Sequence, residues 1–112
     1  MKIYHNPRCS KSRQSLQLLQ DKGINPEIIE YLKTPPSADE ITELIAMLGI
    51  KPEALIRKGE AVFKENFKGK TLTDQQWIEA MAKFPKLIER PIVVEGKKAV
   101  IGRPPTLVLD LI

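Results

Sequence analysis

The residue best suited to nucleophilic chemistry is Cys9, the only cysteine among 112 residues. It stands in Asn6-Pro7-Arg8-Cys9-Ser10-Lys11-Ser12-Arg13-Gln14, where the residue pattern predicts a strand giving way to a helix. A cysteine just before or inside the first turn of a helix faces unpaired backbone N–H groups and the positive end of the helix dipole, so its thiolate is favoured over its thiol. The competing role is that of a small inert core residue, the usual fate of a lone cysteine. Arg8, Ser10, Lys11, Ser12 and Arg13 argue against it, because a hydrocarbon core excludes such neighbours. The second set of candidates is Arg57, Arg90 and Arg103, each at a predicted break between elements. A guanidinium grips a planar or tetrahedral oxyanion through paired hydrogen bonds, and loops at one end of a sheet are where such groups assemble. Together these residues suggest a thiolate acting on an anionic centre.

The elements that must position them follow from turn signals and periodicity. Lys2-Ile3-Tyr4-His5 has the β-branched and aromatic character of a strand and ends at Asn6-Pro7. After Cys9, Ser10 or Ser12 can cap a helix with Leu16 and Leu19 on its apolar stripe and Gly23 as its stop. Glu27 to Leu32 is predicted to be a second strand, parallel to the first across a right-handed crossover, closed by Thr34-Pro35-Pro36. Ser37 and Glu40 make a capping box before Ile41, Leu44, Ile45 and Leu48, and Gly49 ends that helix. Pro52 to Ile56 makes one or two helical turns, and residues 60–70 form a partly helical connector. Thr73 and Gln76 repeat the capping box ahead of Trp77, Ile78, Met81 and Phe84, with Trp77 as a packing anchor. Ile92-Val93-Val94-Glu95 and Lys98 to Gly102 form a hairpin about Gly96-Lys97. A short helix opening at Pro104-Pro105 follows, with Leu107, Val108 and Leu111 inward.

This order, β-α-β, then an all-helical insertion over about residues 37–84, then β-β-α, predicts an α/β thioredoxin-like fold in a single domain over residues 1–112. In such a fold the nucleophile at the first helix lies beside the turn before the third strand, here Arg90-Pro91, where a cis bond would need tight positioning to outweigh its usual cost of roughly 0.5–1 kcal/mol.

Composition narrows the function classes. The net charge of +4 comes from eighteen cations, mostly lysines scattered among fourteen acids, with no block longer than Lys97-Lys98. That pattern describes a solvated surface, so no nucleic-acid partner is expected. No apolar run reaches the roughly 18 residues of a membrane span, and the chain opens on a strand, so a soluble, cytoplasmic protein without membrane association is expected. One cysteine forms no internal disulfide, and one histidine with one cysteine makes a poor metal site. Neither a phosphate-binding glycine loop nor a dinucleotide fingerprint is present.

Five ordered blocks carry a resemblance. Tyr4 to Arg13, Tyr31-Leu32-Lys33-Thr34-Pro35-Pro36, Leu55-Ile56-Arg57-Lys58, Arg90-Pro91-Ile92-Val93-Val94 and Gly102-Arg103-Pro104 together resemble the glutaredoxin-linked arsenate reductase (ArsC) family over essentially the full chain. The resemblance implies that Cys9 attacks arsenate while Arg57, Arg90 and Arg103 bind the oxyanion. It also implies glutathione as co-substrate and glutaredoxin as partner, with no bound cofactor. His5 is a supporting candidate, to tune the Cys9 proton or hold the loop; Ser12 is another, to hydrogen-bond the thiolate or cap the helix. With no second thiol in the chain, the electrons that reduce a Cys9 adduct come from outside. Two other functions stay open on sequence grounds: a glutathione-dependent thiol reductase, and a non-enzymatic regulator or adaptor like the Spx-type proteins that bind RNA polymerase. Those regulators typically carry a C-x-x-C pair, and here the fourth position is Ser12.

Overall fold

The computed structural model describes all residues from Met1 to Ile112. The chain forms two compact units, one from residues 1–34 and 90–112, the other from residues 35–89.

The first unit is built on a four-stranded sheet. Its elements are β1 (Lys2–Tyr4), α1 (Ser10–Asp21), β2 (Glu27–Ile29), β3 (Ile92–Glu95), β4 (Lys98–Ile101) and a terminal 3₁₀ helix (Pro105–Leu111). The strand order is β2-β1-β3-β4, with β1 and β2 parallel and the β1–β3 and β3–β4 pairs antiparallel. This is the expected thioredoxin-like arrangement. β3 is central, and Ile92 and Val93 on its opposite faces are both inaccessible to solvent. Ile3, Leu19, Val93 and Val108 form the core between the sheet, α1 and the terminal helix. Each such side chain contributes about 1.5–3 kcal/mol through burial. The hairpin turn falls on Gly96-Lys97 as expected, with Gly96 at φ 60° where a side chain would be strained.

Two expectations for this unit change. β2 stops at Ile29, because the chain turns at once: the N–H groups of Lys33 and Thr34 both donate to the Glu30 carbonyl, at 2.9 and 3.0 Å. Tyr31, read as a strand residue, is buried within that turn. Leu107 faces outward, 38% exposed, while Val108 is fully buried. The cause is the tighter helix. With three residues per turn, Val108 and Leu111 share a face and Leu107 is carried a third of a turn away from it.

The second unit comprises α2 (Ala38–Leu48), a 3₁₀ turn at Pro52–Leu55, α3 (Ala61–Asn66), α4 (Asp74–Lys83) and a 3₁₀ turn at Pro85–Leu87. Both capping boxes are present: Ser37 Oγ accepts from the Glu40 N–H at 3.2 Å, and Thr73 Oγ1 from the Gln76 N–H at 3.2 Å. Gly49 ends α2 at φ 68°, the left-handed cap expected of it. The connector becomes the short helix α3, pinned by an aromatic cluster. Trp77 stacks against Phe63 at 6.2 Å between centroids and lies 6.0 Å from Phe67. No helix of either unit is long and apolar enough to cross a membrane.

Candidate active site

The loop that carries Cys9 is held by its own backbone and by Asn6. The Cys9 N–H donates to the Asn6 carbonyl at 3.0 Å, and the Arg8 N–H to Asn6 Oδ1 at 3.0 Å. Arg13 Nη1 reaches back to the Pro7 carbonyl at 2.9 Å. These bonds turn the chain sharply between β1 and α1. Asn6, which the sequence marked only as a turn signal, is a buried residue that fixes the turn.

The first correction concerns the helix cap. Neither Ser10 nor Ser12 caps α1: Cys9 is itself the N-cap, extended at φ −95° and ψ 122°, with Ser10, Lys11 and Ser12 as the first three helical residues. No side-chain hydrogen bond of ordinary cap geometry closes the helix, and its first turn holds no acidic residue. The sulfur takes the place a cap oxygen normally fills. The backbone N–H groups of Ser12 and Lys11 act on it there, and both favour its anion.

Ser12 therefore acts differently from the expected hydroxyl donor. Its Oγ is fully buried, lies 2.6 Å from His5 Nδ1 and accepts the Asn6 N–H at 3.0 Å. What Ser12 offers the sulfur is its peptide N–H. His5 in turn is only 6% exposed at the end of β1. Burial holds its pKa below the usual histidine value; Glu30 acts in the opposite direction, and Arg13 lowers it further. A neutral His5 ring that accepts from Ser12 Oγ–H leaves that oxygen's lone pair for Asn6. The trio thus ties the strand end to the first helical turn.

Two of the three predicted arginines come to Cys9, and strand register explains why. In the β3–β4 hairpin Ile92 pairs with Ile101, so the next residues outward, Pro91 with Gly102 and Arg90 with Arg103, fall opposite each other. The Gly102 N–H donates to the Pro91 carbonyl at 2.9 Å, and Arg103 Nε donates to the Arg90 carbonyl at 2.8 Å. The Arg90-Pro91 bond is cis, as is Arg103-Pro104. Because β1 lies beside β3, with Tyr4 opposite Ile92, the same end of the sheet carries the Cys9 loop. Arg103 Nη2 then stands 3.4 Å from Cys9 Sγ, and the Arg90 side chain also hydrogen-bonds the sulfur.

The sulfur is half-buried, which by itself raises a thiol pKa. The Ser12 N–H, the Arg90 hydrogen bond, the Lys11 N–H and the Arg103 charge act against that burial and prevail, leaving the Cys9 pKa below the ordinary value. A thiolate flanked by two guanidinium groups is a nucleophile already matched to an anion. Arg57 belongs to the second unit. There its Nε lies 3.1 Å from Glu89 and its Nη1 3.8 Å from Glu60, while its N–H donates to the Leu87 carbonyl at 2.7 Å. No group of three or more His, Cys, Asp or Glu side chains is arranged to hold a metal ion.

Comparison with known proteins gives this geometry a family. The model of the ArsC family matches residues 4–111. The chain belongs to the ArsC family. Among its relatives, an arsenate reductase of Escherichia coli is 44% identical over 111 residues, spanning 98% of this chain and 79% of that protein. The E. coli K12 protein YfgD, whose name carries no activity, is 47% identical over the whole of this chain and 96% of its own. Among solved structures, an arsenate reductase from Vibrio cholerae superposes with a TM-score of 0.95 at 48% identity, covering 99% of this chain and 96% of that one. The ArsC match extends across both units, including the segment that carries Arg57.

Proposed function

We propose that this ArsC-family protein reduces arsenate to arsenite, with Cys9 as nucleophile and Arg90 and Arg103 as the oxyanion site. The observation that carries the proposal is the 3.4 Å approach of Arg103 Nη2 to a sulfur whose pKa is lowered. The names of the E. coli and V. cholerae relatives support arsenate as the anion.

In this reaction the Cys9 thiolate attacks arsenic, an As–S bond replaces an As–OH bond, and the displaced hydroxyl leaves as water with a proton taken from solvent. Arg90 and Arg103 offset the charge on the remaining oxygens, and N–H groups at the start of α1 add to the anion site. Arsenic is still pentavalent in that adduct. Conversion to arsenite needs two electrons, supplied when two thiols become one disulfide. Cys9 is the chain's single thiol, so at least one of the pair is external; glutathione, with glutaredoxin to regenerate the site, fills that role in our proposal. Arg57 is the third oxyanion ligand implied by the family resemblance, and substitution is its test. His5 and Ser12 position the loop and the helix start.

The test is steady-state turnover with arsenate, glutathione, glutaredoxin and an NADPH-coupled recycling system. Wild type should turn over, Cys9→Ser should be inactive, and Arg57→Ala, Arg90→Ala and Arg103→Ala should each be slowed. Arsenate-independent reduction of mixed disulfides, unaffected by the three arginine changes, would instead establish a general thiol reductase.

A further inference from the structure

We propose that two carboxylates set what Arg57 can bind: Glu89 is a positioning residue that orients the guanidinium for an oxyanion, and Glu60 is the counter-ion that the oxyanion replaces. The inference rests on Arg57 being an oxyanion ligand in the reaction proposed above, and it assigns roles to two residues outside that reaction.

All three residues belong to the second unit, where two different local structures bring them together. The first is a short antiparallel bridge. Ile56 pairs with Ile88, the Arg57 N–H donates to the Leu87 carbonyl at 2.7 Å, and the Glu89 N–H donates to the Leu55 carbonyl at 2.9 Å. Residues two apart along a strand share a face, so Arg57 and Glu89 are diagonal neighbours on one side of the bridge. Leu55, Ile56, Leu87 and Ile88 are all buried, which makes the frame rigid. The second structure is a turn. The Glu60 N–H donates to the Arg57 carbonyl at 3.2 Å, closing residues 57–60 and returning the Glu60 side chain to the guanidinium.

The two contacts differ in kind. Glu89 Oε1 lies 3.1 Å from Arg57 Nε, whereas Glu60 Oε1 lies 3.8 Å from Nη1. With Nε committed to Glu89, the end of the fork formed by Nη1 and Nη2 remains, the edge that meets two oxygens of an oxyanion. Nη1 is buried and has no hydrogen-bond partner. A charged donor left in that state is costly, so Nη1 is the atom that an oxygen of the ligand would satisfy. Glu60 stands beside it without closing to hydrogen-bond distance and is the group that must yield.

Charge gives the same answer. The Arg57, Glu60 and Glu89 side chains are only 24%, 25% and 27% exposed, so water screens their charges incompletely. Two carboxylates around one guanidinium sum to a negative cluster, which repels an incoming anion. Once Glu60 withdraws, the sum is zero and the anion meets an oriented cation.

The test is the arsenate concentration that halves the rate of Cys9 alkylation, compared among variants of the full chain. Arg57→Ala should raise it. Glu60→Gln, which removes a charge and keeps the side-chain length, should lower it about threefold. Glu60 makes no side-chain cap to α3, so that helix keeps its start. Glu89→Ala should raise the concentration about tenfold, and Glu89→Gln, which still offers an oxygen to Nε, should restore it. In an Arg57→Ala background none of these glutamate changes should have a further effect, a result that a role in folding alone would not give. The Arg57 Nε–H resonance supplies a readout without arsenate: it should be protected from solvent exchange in wild type and Glu89→Gln and lose that protection in Glu89→Ala. Glutamate variants that match wild type, effects that persist without Arg57, or an Nε–H signal indifferent to Glu89 would overturn the proposal. Arsenate that protects wild type and Arg57→Ala alike would overturn it too, leaving Cys9 with Arg90 and Arg103 standing. Arsenate that never protects Cys9 would instead remove the oxyanion reading itself, and this inference with it.

Discussion

Arg103 Nη2 lies 3.4 Å from Cys9 Sγ although 94 residues separate them in the chain. The contact follows from a two-residue hairpin turn, which sets Arg90 opposite Arg103, and from β1 pairing with β3, which brings the Cys9 loop to the same edge. Arg103 is also anchored through Nε to the Arg90 carbonyl, so the guanidinium is oriented before substrate arrives.

Arg103→Ala removes a charge from the sulfur and a donor from the proposed oxyanion site. Loss of one such preorganised donor costs about 10²–10³ in rate, and kcat/KM for arsenate should fall by that order. The Cys9 pKa should rise in the same variant. Arg103→Lys should recover little, because an ammonium cannot hold the Arg90 carbonyl and the sulfur in one planar fork. Steady-state kinetics beside thiol titration checks both.

Much of this arrangement can be read from the sequence, for identifiable reasons. The capping boxes at Ser37 and Thr73, the Gly49 stop and the Gly96-Lys97 turn are local rules satisfied by local residues, and all are found in place. Ordinary cap preference ranks serine above cysteine, so the sequence points to Ser10 or Ser12 where the structure has Cys9. Only the fold shows Ser12 turned inward to His5. Leu107 departs from its expected inward position because apolar spacing does not distinguish a 3₁₀ helix from an α-helix over a few residues.

Ser12→Ala would strand the buried Asn6 N–H and remove the partner of His5 Nδ1. Leaving buried polar groups unsatisfied costs about 1–3 kcal/mol, which denaturant unfolding should register. Rates should fall as well, since the loop that presents Cys9 loses its tie to α1.

His5 makes stability depend on pH. Its folded pKa is lowered, chiefly by burial, with Glu30 opposing and Arg13 adding. The unfolded chain therefore binds the proton more readily than the folded one, so stability rises with pH. The His5 contribution is complete above the unfolded value near 6.5 and is lost as pH falls through the folded value. Unfolding midpoints measured across this acid range should decline more steeply for wild type than for His5→Gln.

Gly102 is required by close packing and not by its backbone angle. A Cβ there would overlap Ser15 Oγ and come within 2.9 Å of Pro91 Cγ and 3.2 Å of Val108 Cγ1. Ser15 and Val108 are fully buried, and Ser15 Oγ donates to the Gly102 carbonyl at 3.5 Å, so none can yield freely. Gly102→Ala should destabilise the fold by about 1–3 kcal/mol. The double variant Gly102→Ala/Ser15→Ala should recover part of that loss in chemical denaturation, because the worst overlap is with the hydroxyl.

The most direct test of the central claim is the rate of iodoacetamide alkylation of Cys9 as a function of pH, with and without arsenate. An ionised sulfur beside Arg90 and Arg103 should react with a midpoint below the ordinary cysteine value of about 8.5, and arsenate should slow it. A midpoint at or above that value, with a rate indifferent to arsenate, would contradict the account.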